Sequence, residues 1–512
     1  MSSIPHPTDT WAAFTSYVGE IRSLGGILAV LGWDQQVMMP RGSGAVRAEQ
    51  TALLSKIRHS RVASTELGEL AAAVLADALR QPDLGPELPD GPTRAAAARA
   101  MQTDHQRACA VPATLVSRMA RARSVGFQTW REAREADDFE RFAPALDELI
   151  AVVREQAACH ALGDHPYDAA LEAFDPGSRV ADLKPMFYRL GEALTPLVQA
   201  ARAAAGPAPL PLHITDSAFV TLNQHLLSAL GYDLDHGRLD LAAHPFSVGI
   251  HPHDVRITTR YRNHAPLNTI GATIHECGHA LYEQGLPIHL QDTGLCEAAG
   301  AGMHESQSRF WENQIGRSLP FFRWLQPALE EAVGHAIHPE ALYAAANRIE
   351  PGLIRVEADE ATYNLHVIVR FELEVGIFEG RLKARDLPEA WNAGYHKWLG
   401  VRVPDMQNGV LQDIHWASGL FGYFPSYTLG NLYAAGLGAA VEDALPHLWS
   451  NVEKGDFTEI LSWLREHVHR RGREVDAARI FADAVGDRDP VADLVDHLYA
   501  RQGALYGISR PS

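Results

Sequence analysis

One cluster in the chain has residue types and spacing that point directly to chemistry: His275-Glu276-Cys277-Gly278-His279. Two histidines at i and i+4 leave a helix about 40° apart, so both imidazoles can reach one ion. Glu276 leaves the same helix about 100° from His275, beside an ion rather than on it. Ile270, Ile274, Cys277 and Leu281 share the opposite side, which reads as the stripe that packs on a core. An H-E-x-x-H helix of this kind suits a metal that activates water, with the glutamate as proton acceptor. The chain carries 25 histidines, which raises the chance of a fortuitous match. The helical context argues against one.

A catalytic zinc takes three protein ligands and keeps one position open. Gly294 to Arg317 reads as a second helix and carries Glu297, Glu305 and Glu312. Glu305 is favoured as third ligand, because it leaves room for the first helix to end near Gly285, loop and return. Glu297 and Glu312 remain alternatives, and His251 and His253 compete from a strand-rich segment upstream. Glu276 would take the water proton and pass it to a leaving amine, which is metal-assisted peptide hydrolysis.

The elements that must position these groups are mostly helical. Residues 10–32, 44–82, 92–107, 112–136 and 139–162 repeat apolar residues every three or four positions, with breaks at residues 40–42, 82–92 and 163–166. The pattern changes once, where Phe246–Ile250 and Val255–Tyr261 read as strands of a small antiparallel sheet. The fold expected is mainly α: a large helical body with a substrate groove and a small antiparallel β-sheet beside the metal-binding helix. It is expected to be one domain over 1–512, with a helical layer to about 235, a catalytic core over about 236–430 and a helical part beyond.

Composition narrows the function classes. The 512 residues are 46% hydrophobic and 21% charged, ordinary for a globular chain. A formal net charge of −18 makes a polyanion such as nucleic acid a poor partner. No run approaches the roughly 18–20 apolar residues of a membrane helix, so no membrane partner is expected. Residues 1–7 lack the basic and apolar regions of a secretory signal. Four scattered cysteines make no disulfide framework and fit a reducing, cytoplasmic compartment.

Several ordered motifs now converge. The chain reads His244-Pro-Phe246, Asp254-Val-Arg256-Ile-Thr258, the H-E-x-x-H helix, His304-Glu-Ser-Gln307, Ile354-Arg355-Val-Glu-Ala358-Asp359 and Gly409-Val-Leu-Gln412-Asp413-Ile-His415-Trp416. In that order they resemble the HPF, DxRxT, HExxH, HES/GQ, IRxxAD and GxxQDxHW motifs of the carboxypeptidase Taq family. Trp33-Asp34 through Arg47-Ala-Glu-Gln50 is also similar to that family, as is Tyr167 through Asp175-Pro-Gly177, although Val37 stands where threonine is commoner.

The resemblance implies a helical, usually dimeric zinc carboxypeptidase that removes single C-terminal residues from peptides with a free C terminus. Cobalt would substitute for zinc. The resemblance implies His275, His279 and Glu305 as ligands and Glu276 as general base and acid. It implies that Arg355 receives the substrate carboxylate, a role that suits a forked, permanently charged guanidinium. A helix-surface pair with Glu357 or Asp359 is the bland alternative for Arg355. His415, Tyr423 and Tyr427 are candidates to donate to an oxyanion or line the site, against plain aromatic packing. His244 and Arg256 are candidate substrate contacts, Arg256 sharing a strand face with Thr258, but a turn histidine and an Arg256–Asp254 pair fit as well. Asp413 and Asp359 are candidates to orient a ligand or an arginine. His467 and His469 read as a solvated basic helix face.

Two rival functions stay open on the sequence. A helical zinc endopeptidase or oligopeptidase would share the metal and Glu276 without needing a terminal carboxylate. A catalytically silent metal-binding scaffold would keep the fold alone.

Overall fold

The computed structural model describes residues 7–83, 85 and 88–511. Part of the expected break at 82–92 and most of residues 1–7 lie outside these. Helix-forming segments give, in order, α1 (Pro7–Val37), α2 (Gly44–Val62), α3 (Thr65–Arg80), α4 (Gly91–Ala110), α5 (Ala113–Ala136), α6 (Phe139–His160), α7 (Asp168–Glu172), α8 (Val180–Ala203) and α9 (Asp216–Leu230). Three strands follow, β1 (Gly237–Leu241), β2 (Ser247–His251) and β3 (Asp254–Thr259). The chain then forms α10 (Pro266–Gly285), α11 (Ala301–Arg309), α12 (Leu319–Val333), α13 (Pro339–Ala346), α14 (Glu360–Phe378), α15 (Leu387–Leu399) and α16 (Phe424–Ala444). It closes with α17 (Leu448–Val452), α18 (Thr458–His467), α19 (Ala477–Val485) and α20 (Pro490–Leu498). The expected helix over 44–82 is two helices, because Ser64 leaves helical geometry and its Oγ accepts the Leu67 amide at 3.2 Å to start α3. Among the described residues no helix is long and apolar enough to cross a membrane.

The backbone groups into two compact units that interleave in sequence. One comprises residues 1–110, 212–299 and 455–484, the other residues 111–211, 300–454 and 485–512. In the first, Trp11, Phe14, Val18 and Ile21 of α1 pack with Leu67 and Val74 of α3 and Met101 of α4. The sheet of this unit has the order β1-β3-β2. β2 and β3 form the expected antiparallel hairpin, with Val248 opposite Arg256. β1 corrects the expectation of a purely antiparallel sheet, because it lies parallel to β3, with Leu239 opposite Ile257. The twelve residues 242–253 that join β1 to β3 are long enough to act as a crossover, and they contain β2. The sheet is stitched to α10: Thr259 and Thr273 hydroxyls meet at 2.9 Å in the interior. Thr269 Oγ1 donates to the Arg260 carbonyl at 3.0 Å.

The second unit is built around α14. Every residue of α14 is buried except Glu372. A helix buried on all sides must satisfy its polar side chains internally. Asn364 accepts from Asn431 at 3.0 Å, His366 meets Tyr395 at 2.9 Å, Arg370 reaches Asp413 at 2.6 Å, and Glu360 meets His497 at 3.1 Å. On the same helix Phe371 packs against the rings of Phe187 of α8 and Tyr167.

Candidate active site

α10 starts with Pro266 in its first turn, where a missing N–H costs nothing, and ends at Gly285 as expected. Its core stripe is as read: Ile270, Ile274, Cys277 and Leu281 are buried. His275 and His279 are half-buried, with ring centroids 4.9 Å apart. Glu276 is buried beside them. Ligand atoms of His275, His279 and Glu305 all lie within 4.8 Å of one another. Among the described residues no other group of three such side chains converges in this way. Two imidazoles and one carboxylate form the His2Glu donor set of hydrolytic zinc sites, which leaves a position for substrate or water. The residues present therefore fit a catalytic metal.

The other candidate ligands are engaged elsewhere. Glu297 pairs with Arg473 at 3.1 Å, and Glu312 with Arg317 at 2.9 Å and Arg309 at 3.2 Å. His251 meets Gln291 at 2.7 Å, and His253 stacks on His236. The helix carrying Glu305 begins at Ala301, not at Gly294. The preceding backbone is held by side chains instead: Thr293 Oγ1 accepts the Leu295 amide at 3.2 Å, and Tyr282 accepts the Ala299 amide at 3.2 Å.

The carboxylate of Glu305 is held from several sides. Arg309 Nε donates to its Oε1 at 2.7 Å, and Ser308 Oγ to its Oε2 at 3.2 Å. Arg309 in turn lies over the Tyr363 ring at 4.5 Å. Burial works against the Arg309 charge, but Glu305 and Glu312 outweigh it and hold the guanidinium protonated. From α16, Gly430 presses on Glu305: a Cβ built on this glycine falls 2.4 Å from Glu305 Cγ. α11 is anchored at its start by buried Asp175, which accepts the Gly302 amide at 2.6 Å and the Ser426 hydroxyl at 2.5 Å. Beyond Arg309 the helix widens to a π-turn over Phe310–Ile315, the kind of irregularity often found at functional sites.

Arg355 is 4% exposed and sits in a short 3-10 turn, so the helix-surface reading is wrong. Its partner is Asp413, not Glu357 or Asp359. Nε and Nη2 of Arg355 reach Asp413 Oδ1 at 3.1 and 3.0 Å, and Nη1 donates to the Tyr363 hydroxyl at 2.9 Å. The Tyr427 ring lies 4.8 Å from its guanidinium carbon. The other oxygen of Asp413 accepts Arg370 Nε at 2.6 Å. Burial alone would raise the Asp413 carboxyl, but Arg370 and Arg355 together hold it far below the usual carboxylate range. Gln412 completes the network: its Oε1 accepts Arg370 Nη2 at 2.8 Å and the Arg355 amide at 2.9 Å. With two guanidiniums on one carboxylate, the cluster keeps a net positive charge around a buried arginine, which suits an incoming carboxylate.

His415, Tyr423 and Tyr427 come together as one aromatic group. His415 Nε2 meets Tyr427 Oη at 3.2 Å, and the Tyr423 and Tyr427 rings are 5.2 Å apart at 89°. Burial pushes the His415 imidazole down to about 3, with Arg355 and Arg370 adding to the shift, so the ring is neutral. Burial pushes the Tyr423 phenol up to about 12, and the charge of Glu305 adds to it, so the hydroxyl keeps its proton.

The peripheral candidates fare less well. Arg256 forms a two-pronged pair with Asp254 at 2.7 and 2.8 Å and lies over the Trp33 ring at 4.7 Å. Thr258 is buried and its hydroxyl accepts the Phe246 amide at 3.0 Å. His244 is exposed in the bend between β1 and β2. Asp359 orients neither an arginine nor a metal ligand; it caps α14, accepting the Ala361 and Thr362 amides at 3.0 Å each. His469 is fully buried against Tyr282, a correction to the solvated-face reading, because α18 ends at His467 and the chain turns inward. His467 stacks on Trp463.

The reading of the sequence missed Arg309, Tyr363, Arg370 and Gly430. For Tyr363 and Arg370 the signal was polar residues set three or four apart along segment 360–378, which contains neither Arg309 nor Gly430. That pattern marks a buried helix with internal partners.

Comparison with known proteins fits this geometry. Residues 13–502 match the family described as carboxypeptidase Taq (M32) metallopeptidase. The chain is 39% identical to thermostable carboxypeptidase 1 of Thermus thermophilus, over 98% of this chain and 100% of that protein. It is 36% identical to carboxypeptidase 1 of Bacillus subtilis, over 94% and 95% of the two. The crystal structure of the M32 carboxypeptidase from Deinococcus radiodurans R1 superposes with a TM-score of 0.92 at 35% identity, covering 98% of this chain and 100% of that one. A helical body, an H-E-x-x-H helix with a converging glutamate, and full-length similarity together place the chain in the carboxypeptidase Taq (M32) family of metallopeptidases, as a metallocarboxypeptidase.

Proposed function

We propose that this carboxypeptidase is a zinc enzyme that removes single residues from the free C terminus of peptides, with broad side-chain tolerance. The observation that carries the reading is the convergence of His275, His279 and Glu305 on one point, with Glu276 on the same helix. Bound zinc, for which cobalt would substitute, supplies Lewis acidity at the scissile carbonyl and makes water a better nucleophile. Glu276 accepts the proton of the attacking water and returns it to the leaving amine. Tyr423, protonated at neutral pH, donates to the developing oxyanion. His415, neutral and bonded to Tyr427, holds the aromatic group in place. Arg355 receives the terminal carboxylate, and its charge is fixed by the shared Asp413 rather than neutralised. Tyr427, across the Arg355 plane, borders that subsite. His244 and Arg256 are assigned only weak substrate contacts, Arg256 with its charge shared by Asp254.

The enzyme acts as a homodimer in the cytoplasm. Resemblance to the family supports the first, and four free cysteines the second. Light scattering tests the dimer.

The decisive experiment follows one peptide, as free acid and as C-terminal amide, by mass spectrometry with zinc-loaded and chelated protein. Stepwise loss of single residues from the free acid alone, and only with metal, is expected. Internal cleavage of both peptides would overturn the assignment of Arg355.

A further inference from the structure

Glu374 is a fully buried carboxylate that the steps above do not use. It lies on α14, one turn beyond Arg370. Three neutral donors converge on it, two from the segment 415–423 and one from Tyr167. Trp416 Nε1 donates to Oε1 at 2.7 Å, the Gly422 amide donates to Oε2 at 2.9 Å, and the Tyr167 hydroxyl donates to the same oxygen. Burying an acid is costly, and an apolar side chain of similar size would fill the space without that cost. The arrangement instead trades stability for fixed geometry.

What it fixes is next to the chemistry. Trp416 directly follows His415, and Gly422 directly precedes Tyr423. Both ends of the segment that presents these two side chains are therefore tied to one carboxylate. The segment has no freedom to settle elsewhere on that side. Gly422 adopts φ +92°, and a Cβ there would fall 2.3 Å from the Ala170 carbonyl oxygen. The backbone is pressed against the same stretch that carries Tyr167.

We propose that Glu374 is a positioning residue for peptide hydrolysis: by binding Trp416, Gly422 and Tyr167 at once, it sets where His415 and Tyr423 stand. This rests on the roles given above to those two residues. Glu374→Gln is the sharp test, because an amide has one acceptor oxygen. Its NH2 group must face an N–H donor in either orientation.

The experiment measures kcat and KM on a free-acid peptide for the parent, Glu374→Gln, Tyr423→Phe and the double variant, with melting temperatures alongside. A small misplacement of catalytic groups costs on the order of 10- to 100-fold, so kcat of Glu374→Gln should fall by about that factor while KM stays within about threefold. In the Tyr423→Phe background the further loss should shrink to less than about threefold, since no phenol is left to misplace. A merely structural role would reduce both backgrounds alike, and that result overturns the proposal. So does an unimpaired Glu374→Gln beside an impaired Tyr423→Phe, which leaves the reading of Tyr423 intact. If Tyr423→Phe keeps full kcat, the reading of Tyr423 fails and the positioning role falls with it. Should Glu374→Gln not fold, Tyr167→Phe decides: it removes one donor and keeps the carboxylate. A smaller kcat loss with the same non-additivity is then expected, and an unchanged kcat overturns the proposal.

Discussion

α10 and the network around Asp413 place functional groups by different means. In α10 the helix does the placing. Three chemical side chains project within one turn, and the opposite side packs on a core, so the geometry follows from 3.6 residues per turn. Around Asp413, Arg355, Tyr395 and Gln412 come from separate segments, Tyr363 and Arg370 come from α14, and together they hold one another in place. The ligand pair is half-buried, whereas the network is almost wholly enclosed. Local geometry tolerates loss of a side chain. A mutually braced buried cluster does not.

Breaking each region should show the contrast. The largest effect belongs to Glu276→Gln, which should lower kcat by about 10²–10⁴-fold while metal content, measured by atomic absorption, stays near one ion per chain. His275→Ala should lose the metal yet leave the chelated protein within about 1 kcal/mol of the parent in urea unfolding, because its ring is half-exposed. Asp413→Asn should behave in the opposite way. Two buried guanidiniums lose their counter-charge, and the same unfolding assay should show a loss of roughly 3–5 kcal/mol.

Gly430→Ala sharpens the comparison, because it disturbs Glu305, the proposed ligand from outside α10. The added methyl must push Glu305, so zinc affinity measured by competition with a chelating dye should drop about tenfold or more, with the helix content unchanged.

The pH dependence is a smaller effect and concerns Glu374. Burial raises its carboxyl to about 7, from 4.5. The folded chain therefore holds more protons than the unfolded chain between those values, and this group makes the fold less stable as pH rises through the window. Glu374→Gln removes that dependence. Chelated variant and parent, unfolded in urea at pH 4.5 and at pH 7.5, should show the variant gaining relative stability at the higher pH. The smallest effect expected is for Arg256→Ala. Its charge is already shared with Asp254 near the surface, and kcat/KM should change by less than about threefold.

Much of the fold was legible because it is helical. Apolar repeats located α1 to α6 and α10, and only the Ser64 cap divided one expected helix in two. The parallel pairing of β1 was not legible. Its residues alternate like an edge strand, and only the path of the connection decides its direction. The three side chains that converge, His275, His279 and Glu305, were legible from one helix and one ordered motif. Arg370 and Glu374 were not, since their importance lies in partners many residues away.

The sequence by itself determined the helical class and an H-E-x-x-H face suited to metal-assisted hydrolysis, because those depend on short-range periodicity and on the proton and metal affinities of residue types. Only the tertiary structure decided that Arg355 pairs with Asp413 rather than with its neighbours on the chain, and that His469 is buried. Those outcomes depend on which segments meet in space. In a water-free interior each charge or hydrogen-bonding group must find a partner wherever the fold supplies one.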